Sequence, residues 1–281
     1  MSDAVFIPAG ESPVSAPATE RLVATDLARG PWDPRAQHGG APAALIVRAF
    51  EGQPGGEELT LARVTYELLR PVPLGALEVS ADIVRPGRRV QLLEATLRRE
   101  DGVEVMRARA LRVHRSDTAA IEAAHRGDGG GSEGPRTSGV VGPEEGRRVE
   151  FFSHRGRMFS TDAMDIRFIS GSFLVPGPAT AWFRLEHPLV AGEEASPLQR
   201  LAAAADFGNG ISAVLPWDRY VFINPDLTIY LERPPVGEWF RLESETRLGR
   251  GGIGLSDSVL HDELGRVGRA TQALLVTPRA E

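Results

Sequence analysis

The chain has 281 residues, of which 42% are hydrophobic, 25% charged and 6% aromatic, a composition typical of globular proteins with a sizeable core. No uncharged stretch approaches the roughly 20 continuous apolar residues of a membrane span, and no secretory signal opens the sequence, so we expect a cytoplasmic protein without a membrane span. A net charge of −6 disfavours a nucleic-acid partner, and the absence of Cys and Lys excludes thiolate chemistry, Schiff bases and the lysine-bearing phosphate loop.

The first part of the chain predicts one helix followed by an antiparallel meander. The pair Gly39-Gly40 precedes an Ala-rich apolar run with an early Pro, which favours a buried helix that starts near Ala41. After it come segments with β-branched and alternating character, separated by turns that contain Pro and Gly. We expect strands near residues 60–69, 76–85, 89–99 and 104–114.

The next segment, residues 116–147, has the composition of a linker. It contains the run Gly129-Gly130-Gly131 and two Gly-Pro pairs, and it is too polar to form a packed core. We interpret it as a flexible linker between an N-terminal module, residues 1–115, and a C-terminal module, residues 148–281.

The C-terminal module repeats the N-terminal one. Residues 64–71 align with residues 227–234 at an offset of 163, and both runs end at an Arg-Pro turn. The order of helix and strands recurs, with a helical segment at 198–215 and strands near 220–232, 238–248, 252–262 and 266–277. We therefore predict an α+β fold of the double hot-dog type, in which each half wraps a sheet round one helix and the two sheets pair edge to edge as a pseudo-dimer.

Three short runs carry a resemblance to known proteins. Residues 205–210 and 224–239 in the second half, and Gln37-His38-Gly39-Gly40 in the first, resemble the acyl-CoA thioesterase II and thioesterase-like families. The resemblance covers roughly residues 20–115 and 150–277. It implies a double hot-dog enzyme of lipid metabolism that hydrolyses acyl-CoA to free acid and coenzyme A, with no metal or redox cofactor.

The resemblance also implies a set of catalytic residues. Asp206 on the second-half helix, a hydroxyl residue on the following strand and Gln272 on the last strand would bind and polarise the attacking water. Thr228 matches the hydroxyl position, but the closest family pattern has a further hydroxyl four positions earlier, where this chain has Asn224. The middle role is therefore open between Asn224 and Thr228.

Two of these residues also stand out without the resemblance. Asp206 ends an apolar run, where a buried carboxylate must be hydrogen-bonded or functional, although a helix cap or a solvent-facing Asp is an alternative. Gln272 shares a strand face with apolar residues, where a core amide paired with backbone is the alternative. At the repeat offset, Asp206 aligns with Ala43 and Gln272 with Arg109, so we expect one active site rather than two.

Substrate contacts are expected near the helix starts. Backbone N–H groups at Gly39 and Gly40, or at Gly208 or Gly210 in the second half, can stabilise a developing oxyanion, whereas Gly at such positions also marks plain tight packing. His38, next to the Gly pair, either contacts the ligand or caps the first helix. The six His residues are scattered without ligand spacing, so no metal site is expected.

The sequence also contains features of other functional classes. The run Gly249–Gly254 has the letters of a dinucleotide fingerprint, but a strand rather than a helix follows it. Hot-dog hydratases use a paired Asp and His, and no His lies between residues 188 and 260, which disfavours a hydratase. A non-catalytic protein of the same fold that binds an acyl ligand remains the alternative, and homo-oligomerisation is left open.

Overall fold

A computed structural model of the chain describes residues 3–10, 19–118, 120–121, 141–149 and 156–279. Most of the predicted linker at 116–147 lies outside the described residues, so its boundaries stay a prediction. The first half contains β1 (Phe6–Pro8), β2 (Glu20–Ala24), α1 (Gly40–Glu51), β3 (Leu59–Leu68), β4 (Gly75–Arg85), β5 (Val90–Arg99) and β6 (Glu104–His114). The second half contains β7 (Met164–Ser172), β8 (Val175–Leu185), α2 (Pro197–Ala205), α3 (Gly208–Ile211), β9 (Tyr220–Ile223), β10 (Asp226–Leu231), β11 (Phe240–Leu248), β12 (Ile253–Asp262) and β13 (Gly265–Pro278).

All strands belong to one 13-stranded sheet in the order β1-β2-β4-β5-β6-β3-β10-β13-β12-β11-β8-β7, with β9 pairing to β13, and the paired strands are antiparallel. The halves join where β3 pairs with β10, and Thr65 lies opposite Thr228 in that register. These two residues are equivalent in the sequence repeat, so a pseudo-twofold axis passes between them. The double hot-dog prediction is confirmed.

The structure corrects several predicted boundaries. The two outermost strands at each end of the sheet, β1 and β2 at one end and β7 and β8 at the other, were not predicted. The strand expected at 220–232 is divided into β9 and β10, because the Asn224-Pro225 step lacks a backbone donor at Pro225. The helical segment expected at 198–215 is divided into α2 and α3, and Asp206 lies at the break.

The helices pack against the sheet and against each other. In α1 every residue from Gly40 to Val47 is buried, which is the pattern of a core helix. The start of α2 is defined by Ser196, whose hydroxyl accepts a hydrogen bond from the Gln199 backbone N–H, and by Pro197 in the first turn. No helix among the described residues has the length and hydropathy needed to cross a membrane.

The two main helices run antiparallel, so that the end of each lies beside the start of the other. Gly40 at the start of α1 lies so close to Ala203 of α2 that a Cβ atom at Gly40 would overlap the Ala203 carbonyl oxygen. At the opposite end, Glu51 of α1 contacts Ser196 before α2. This arrangement places residues from both halves at each end of the helix pair.

Candidate active site

Asp206 occupies the break between α2 and α3. The preceding residues Leu201–Ala205 are buried, and the Asp206 side chain is only 7% exposed. Asp206 is the C-cap residue of α2, and its side chain does not face solvent. A carboxylate in this position needs hydrogen-bond donors, because an unpaired buried charge is very costly.

Two amide side chains donate to one oxygen of this carboxylate. Asn224 Nδ2 lies 2.8 Å from Asp206 Oδ1, and Gln272 Nε2 lies 3.1 Å from the same atom. The backbone N–H of Asn209 donates to Gln272 Oε1 at 3.0 Å, which fixes the orientation of the Gln272 amide. Asn224 Nδ2 also donates to the Asp226 carbonyl oxygen at 3.1 Å. Both amides are thus held with a nitrogen toward Asp206.

The other carboxylate oxygen faces the start of α1 in the first half. His38 Nδ1 lies 3.1 Å from Asp206 Oδ2 and accepts a hydrogen bond from the Gly40 backbone N–H at 3.1 Å. The same Gly40 N–H lies close enough to the carboxylate to oppose the rise of its pKa. A Cβ atom at Gly39 would lie 2.8 Å from Oδ2, so only Gly permits this approach. The positive end of the α1 dipole favours a negative charge here.

Burial controls the protonation of this pair. It raises the pKa of Asp206 to about 7, although the hydrogen bonds from Asn224, Gly40 and Gln272 oppose the rise. Burial also lowers the pKa of His38 to about 3, so the imidazole is neutral at physiological pH. A carboxylate with a pKa near neutrality is suited to taking part in proton transfer.

The His38 ring is held by aromatic contacts. Its centroid lies 4.2 Å from that of Phe207 in a stacked arrangement, and 5.3 Å from that of Phe159. The His38 side chain is 11% exposed. The ring is therefore fixed in both position and tilt.

A cavity of about 720 Å³ opens beside these residues, and both halves line it. His38, Gly39, Asp206 and Asn224 form part of its wall. Much of the rest is apolar and includes Trp32, Leu69, Val72, Met164, Phe173 and Trp217. A buried carboxylate thus borders an apolar space large enough for a small ligand or an acyl group.

Comparison with known proteins identifies the family. Residues 28–113 match the acyl-CoA thioesterase N-terminal domain, and residues 139–276 match the acyl-CoA thioesterase C-terminal domain. The chain belongs to the acyl-CoA thioesterase family. No curated protein sequence matches the chain.

Solved structures agree with this fold. A hot-dog protein of unknown function from Alicyclobacillus acidocaldarius is similar with a TM-score of 0.70 at 16% identity, covering 94% of each chain. An acyl-CoA thioesterase II from Mycobacterium marinum is similar with a TM-score of 0.64 at 13% identity, covering 96% of each chain. At these identities the likeness concerns the fold alone.

Not every residue that the thioesterase resemblance implied lies at Asp206. Thr228 pairs with Thr271 across β10 and β13, so it lies on the sheet face opposite that of Gln272. Its hydroxyl donates to Thr65 Oγ1 at 3.2 Å, on the pseudo-twofold axis. The residue that contacts Asp206 from this region is Asn224, and Thr228 belongs to the junction of the two halves.

Gly208 also differs from its predicted role. A Cβ atom there would lie 2.5 Å from Ser258 Oγ and 3.3 Å from Gln272 Oε1, so Gly208 lets α3 pack closely on the sheet. It is not among the residues that line the cavity, whereas Gly39 is. The structure therefore gives Gly208 a packing function.

Strand pairing corrects the repeat alignment. Thr65 pairs with Arg109 in β6, and its equivalent Thr228 pairs with Thr271 in β13, so Arg109 corresponds to Thr271. Gln272 then corresponds to Ala110 rather than Arg109.

The helices need a similar correction. Ala43 lies in the first turn of α1, whereas Asp206 follows the last residue of α2. The carboxylate at the matching end of α1 is Glu51, which the sequence alignment missed. Among the described residues there is no cluster of His, Cys, Asp and Glu that could hold a metal ion.

The spatial arrangement also changes the argument about hydratases. The lack of a His near Asp206 in the sequence does not mean the lack of one in space, because His38 of the first half contacts Asp206. The structure therefore removes that particular objection to a hydratase.

Proposed function

We propose that the protein hydrolyses acyl-CoA thioesters to a free acid and coenzyme A, in lipid metabolism, using water activated by the negative charge of Asp206. The observation that carries the proposal is a buried carboxylate, with a pKa of about 7, in the wall of the cavity shared by the two thioesterase domains. Thioesters are activated enough that a well-placed base suffices for hydrolysis. The chemistry needs neither a metal nor a redox cofactor.

The surrounding residues have separate parts in this reaction. Asn224 and Gln272 donate to Oδ1 and hold the carboxylate in one orientation. Gly39 lies where the start of α1 meets the cavity, and backbone N–H groups at a helix start can stabilise the oxyanion of a tetrahedral intermediate. The apolar part of the wall would receive the acyl group.

The cavity wall also holds two arginines that can meet the phosphates of coenzyme A. They lie beside the acidic residues Asp33, Asp165 and Glu186, and Arg148 is ion-paired with Asp165. Arg70 and Arg148 belong to its wall, and the Arg148 side chain is 66% exposed. Arginine forks bind phosphate oxygens well. An acyl-CoA would then lie with its acyl group among apolar side chains and its phosphates toward the arginines.

A second candidate function is hydration of an enoyl-CoA double bond. It is favoured by the 3.1 Å contact between His38 and Asp206, because hot-dog hydratases use an Asp-His pair. Hydrolysis is preferred because the chain belongs to the acyl-CoA thioesterase family. The alternative of a non-catalytic acyl-binding protein gives no role to a buried carboxylate that Asn224 and Gln272 hold at the cavity wall.

A thiol-release assay separates these functions. We expect wild-type protein to release coenzyme A from saturated acyl-CoA substrates of at least one chain length, and Asp206→Asn to reduce turnover roughly a hundredfold or more. Loss of enoyl-CoA absorbance without thiol release would indicate a hydratase. Binding of acyl-CoA with neither reaction would indicate a binding protein, and full activity of a folded Asp206→Asn variant would contradict the role of Asp206.

A further inference from the structure

The cavity beside Asp206 has an exposed part and a buried part. The exposed part contains Trp32 and Leu69, which are 39% and 44% exposed. The buried part contains Met164 and Ile166 of β7, which are 4% and 8% exposed. The nucleotide of coenzyme A is polar and charged, whereas an acyl group is apolar and gains most where it leaves water completely. The buried part is therefore the place for the acyl group.

The charged residue in this stretch of β7 does not oppose an acyl group. Asp165 lies between Met164 and Ile166 along the strand, so its side chain points to the other face of β7. There it forms ion pairs with Arg148 at 2.8 Å and with Arg167 at 2.9 Å. The two neighbours of Asp165 thus keep the buried part of the cavity apolar.

The hairpin that joins β7 and β8 has an unusual tip. Ser172 pairs with Val175, so Phe173 and Leu174 form a two-residue turn. Turns of this length favour Gly, Asn or Asp, and this one has none of them. A hydrogen bond from the Leu174 backbone N–H to Ser172 Oγ, at 3.1 Å, supports the turn. Turn formation therefore does not explain why two large apolar residues occupy the tip.

The two residues of the turn have different surroundings. Leu174 is 62% exposed, whereas Phe173 is half-buried, packs against the core and lines the cavity. The centroid of the Phe173 ring lies 5.0 Å from that of the buried Phe168 in an edge-to-face arrangement. Aromatic rings prefer this geometry, so the contact holds the Phe173 ring in place at the cavity wall.

Gly210 of α3 lies opposite the Phe173 ring and also lines the cavity. A Cβ atom at Gly210 would lie 3.9 Å from Phe173 Cε1, which is ordinary van der Waals contact, and the φ of Gly210 is outside the left-handed region. Neither packing nor backbone conformation thus requires Gly here, although Gly is unfavourable in a helix relative to Ala. Its effect is to leave a narrow gap between α3 and the ring.

This gap lies close to the reacting carboxylate. Gly210 follows Asp206 by four residues, about one helical turn along the chain. An acyl group whose carbonyl carbon lies at Asp206 therefore meets Phe173 after a short path through the buried part. A longer chain would have to push the ring away from Phe168 or remain in water.

We propose that Phe173 is a specificity-determining residue, whose ring closes the acyl part of the cavity against Gly210 and makes the enzyme prefer short and medium acyl chains to long ones. The inference rests on the proposed thioester hydrolysis and names the class of acyl group that the site accepts. Each methylene that fits an apolar pocket improves kcat/KM several-fold, and each one that does not fit loses that gain. The position of the ring therefore sets the preferred chain length.

The test is a profile of kcat/KM over the even-numbered straight-chain substrates from acetyl-CoA to palmitoyl-CoA. Phe173→Ala removes the ring and should move the maximum by at least one member of the series toward longer chains. Gly210→Ala adds a methyl group against the ring, and it should lower kcat/KM for the longest accepted chain roughly tenfold while the shortest stays within about twofold. Leu174→Ala, at the exposed neighbour, is the control and should keep the wild-type profile.

The outcomes distinguish this inference from the proposed function. No thiol release by wild-type protein at any chain length would defeat both. With an active wild type, a maximum at palmitoyl-CoA would overturn only the inference about Phe173, and so would a lower Tm of Phe173→Ala with an unchanged profile, which is the result of a purely structural role. Should Phe173→Ala not fold, Gly210→Ala decides the question, because its Cβ atom fits without a clash. An unchanged profile in that variant would then overturn the inference.

Discussion

At each end of the helix pair, a carboxylate from the end of one helix meets the start of the other. At one end Asp206 faces Gly39 and Gly40, and at the other Glu51 faces Ser196. The donors differ. Glu51 accepts hydrogen bonds from the Ser196 hydroxyl at 2.8 and 2.9 Å and from Gln199 Nε2 at 2.7 Å.

The difference follows from the residue that precedes each helix. Ser196 has a side chain that fills the space beside Glu51 and donates to it, whereas Gly39 has none and lets Asp206 face the cavity. Nearby, Arg112 donates to the carbonyl oxygens of Gln53 and Pro54 and stabilises the end of α1. At the Glu51 end, hydrogen bonds therefore join the two helices. At the Asp206 end, the carboxylate lies beside a cavity large enough for a ligand.

The two halves also differ in the polarity of the sheet residues that the helices cover. Buried polar residues face α3 in the second half, where the first half has apolar ones at the repeat-equivalent positions. The polar set is Ser244, Thr246, Ser256 and Ser258, and the equivalents are Ala81, Ile83, Leu93 and Ala95. The buried polar side chains of the sheet beside the site therefore belong to the second half. They include Gln272, where the first half has Ala110.

The largest expected effect contrasts two glycines at the ends of α1. In Gly39→Ala the new Cβ would lie 2.8 Å from Asp206 Oδ2 and displace the carboxylate, so we expect turnover to fall on the order of a hundredfold. In Gly52→Ala the nearest atom is the Arg48 carbonyl oxygen at 3.6 Å, and activity should stay within about twofold. Thiol-release kinetics measure both, and equal activities would contradict the need for this close approach.

A smaller effect tests which residue fills the middle position. Asn224→Leu introduces the residue that the first half has there, Leu61, and removes one donor to Asp206, so turnover should fall about tenfold. Thr228→Val keeps the branched shape and removes a hydroxyl that bonds Thr65, so activity should be unchanged. A larger loss of turnover in Thr228→Val than in Asn224→Leu would instead assign the catalytic role to Thr228.

The smallest effect concerns stability and pH. The pKa of Asp206 is raised to about 7 in the folded state against 3.8 in the reference state, so its contribution to stability is full below pH 3.8 and is lost as pH rises through about 7. The Asp206→Asn variant has no ionisable group at this position, so it does not lose stability in this way as pH rises. We expect its Tm to exceed that of the wild type by several degrees at pH 8 and by less at pH 5, and calorimetry showing no pH dependence of the difference would contradict the raised pKa.

The sequence predicts more of the fold than of the site. Turn residues such as Pro86-Gly87 and Asp101-Gly102 mark the strands, and the repeat predicts the pairing of halves. The site depends on a contact between His38 and Asp206, in different halves, and no local periodicity reports it. The one signal was the position of His38 beside a Gly pair at a helix start.

The errors have physical causes. Thr228 was implied by position along the strand, but side chains alternate between sheet faces, and its partner Thr271 lies one residue from Gln272. Glu51 was missed because the repeat keeps its offset in most strands and loses it at the helices, since α1 and α2 do not begin at equivalent residues.

The central claim is that one of the two helix-end carboxylates performs chemistry and the other maintains structure. Thiol release and thermal unfolding of Asp206→Asn and Glu51→Gln, measured side by side with the same acyl-CoA, test it most directly. We predict that Asp206→Asn loses roughly a hundredfold or more in turnover without loss of stability, and that Glu51→Gln keeps turnover within about twofold while its Tm falls. A loss of turnover in Glu51→Gln as large as that in Asp206→Asn, at a temperature where both are folded, would contradict it.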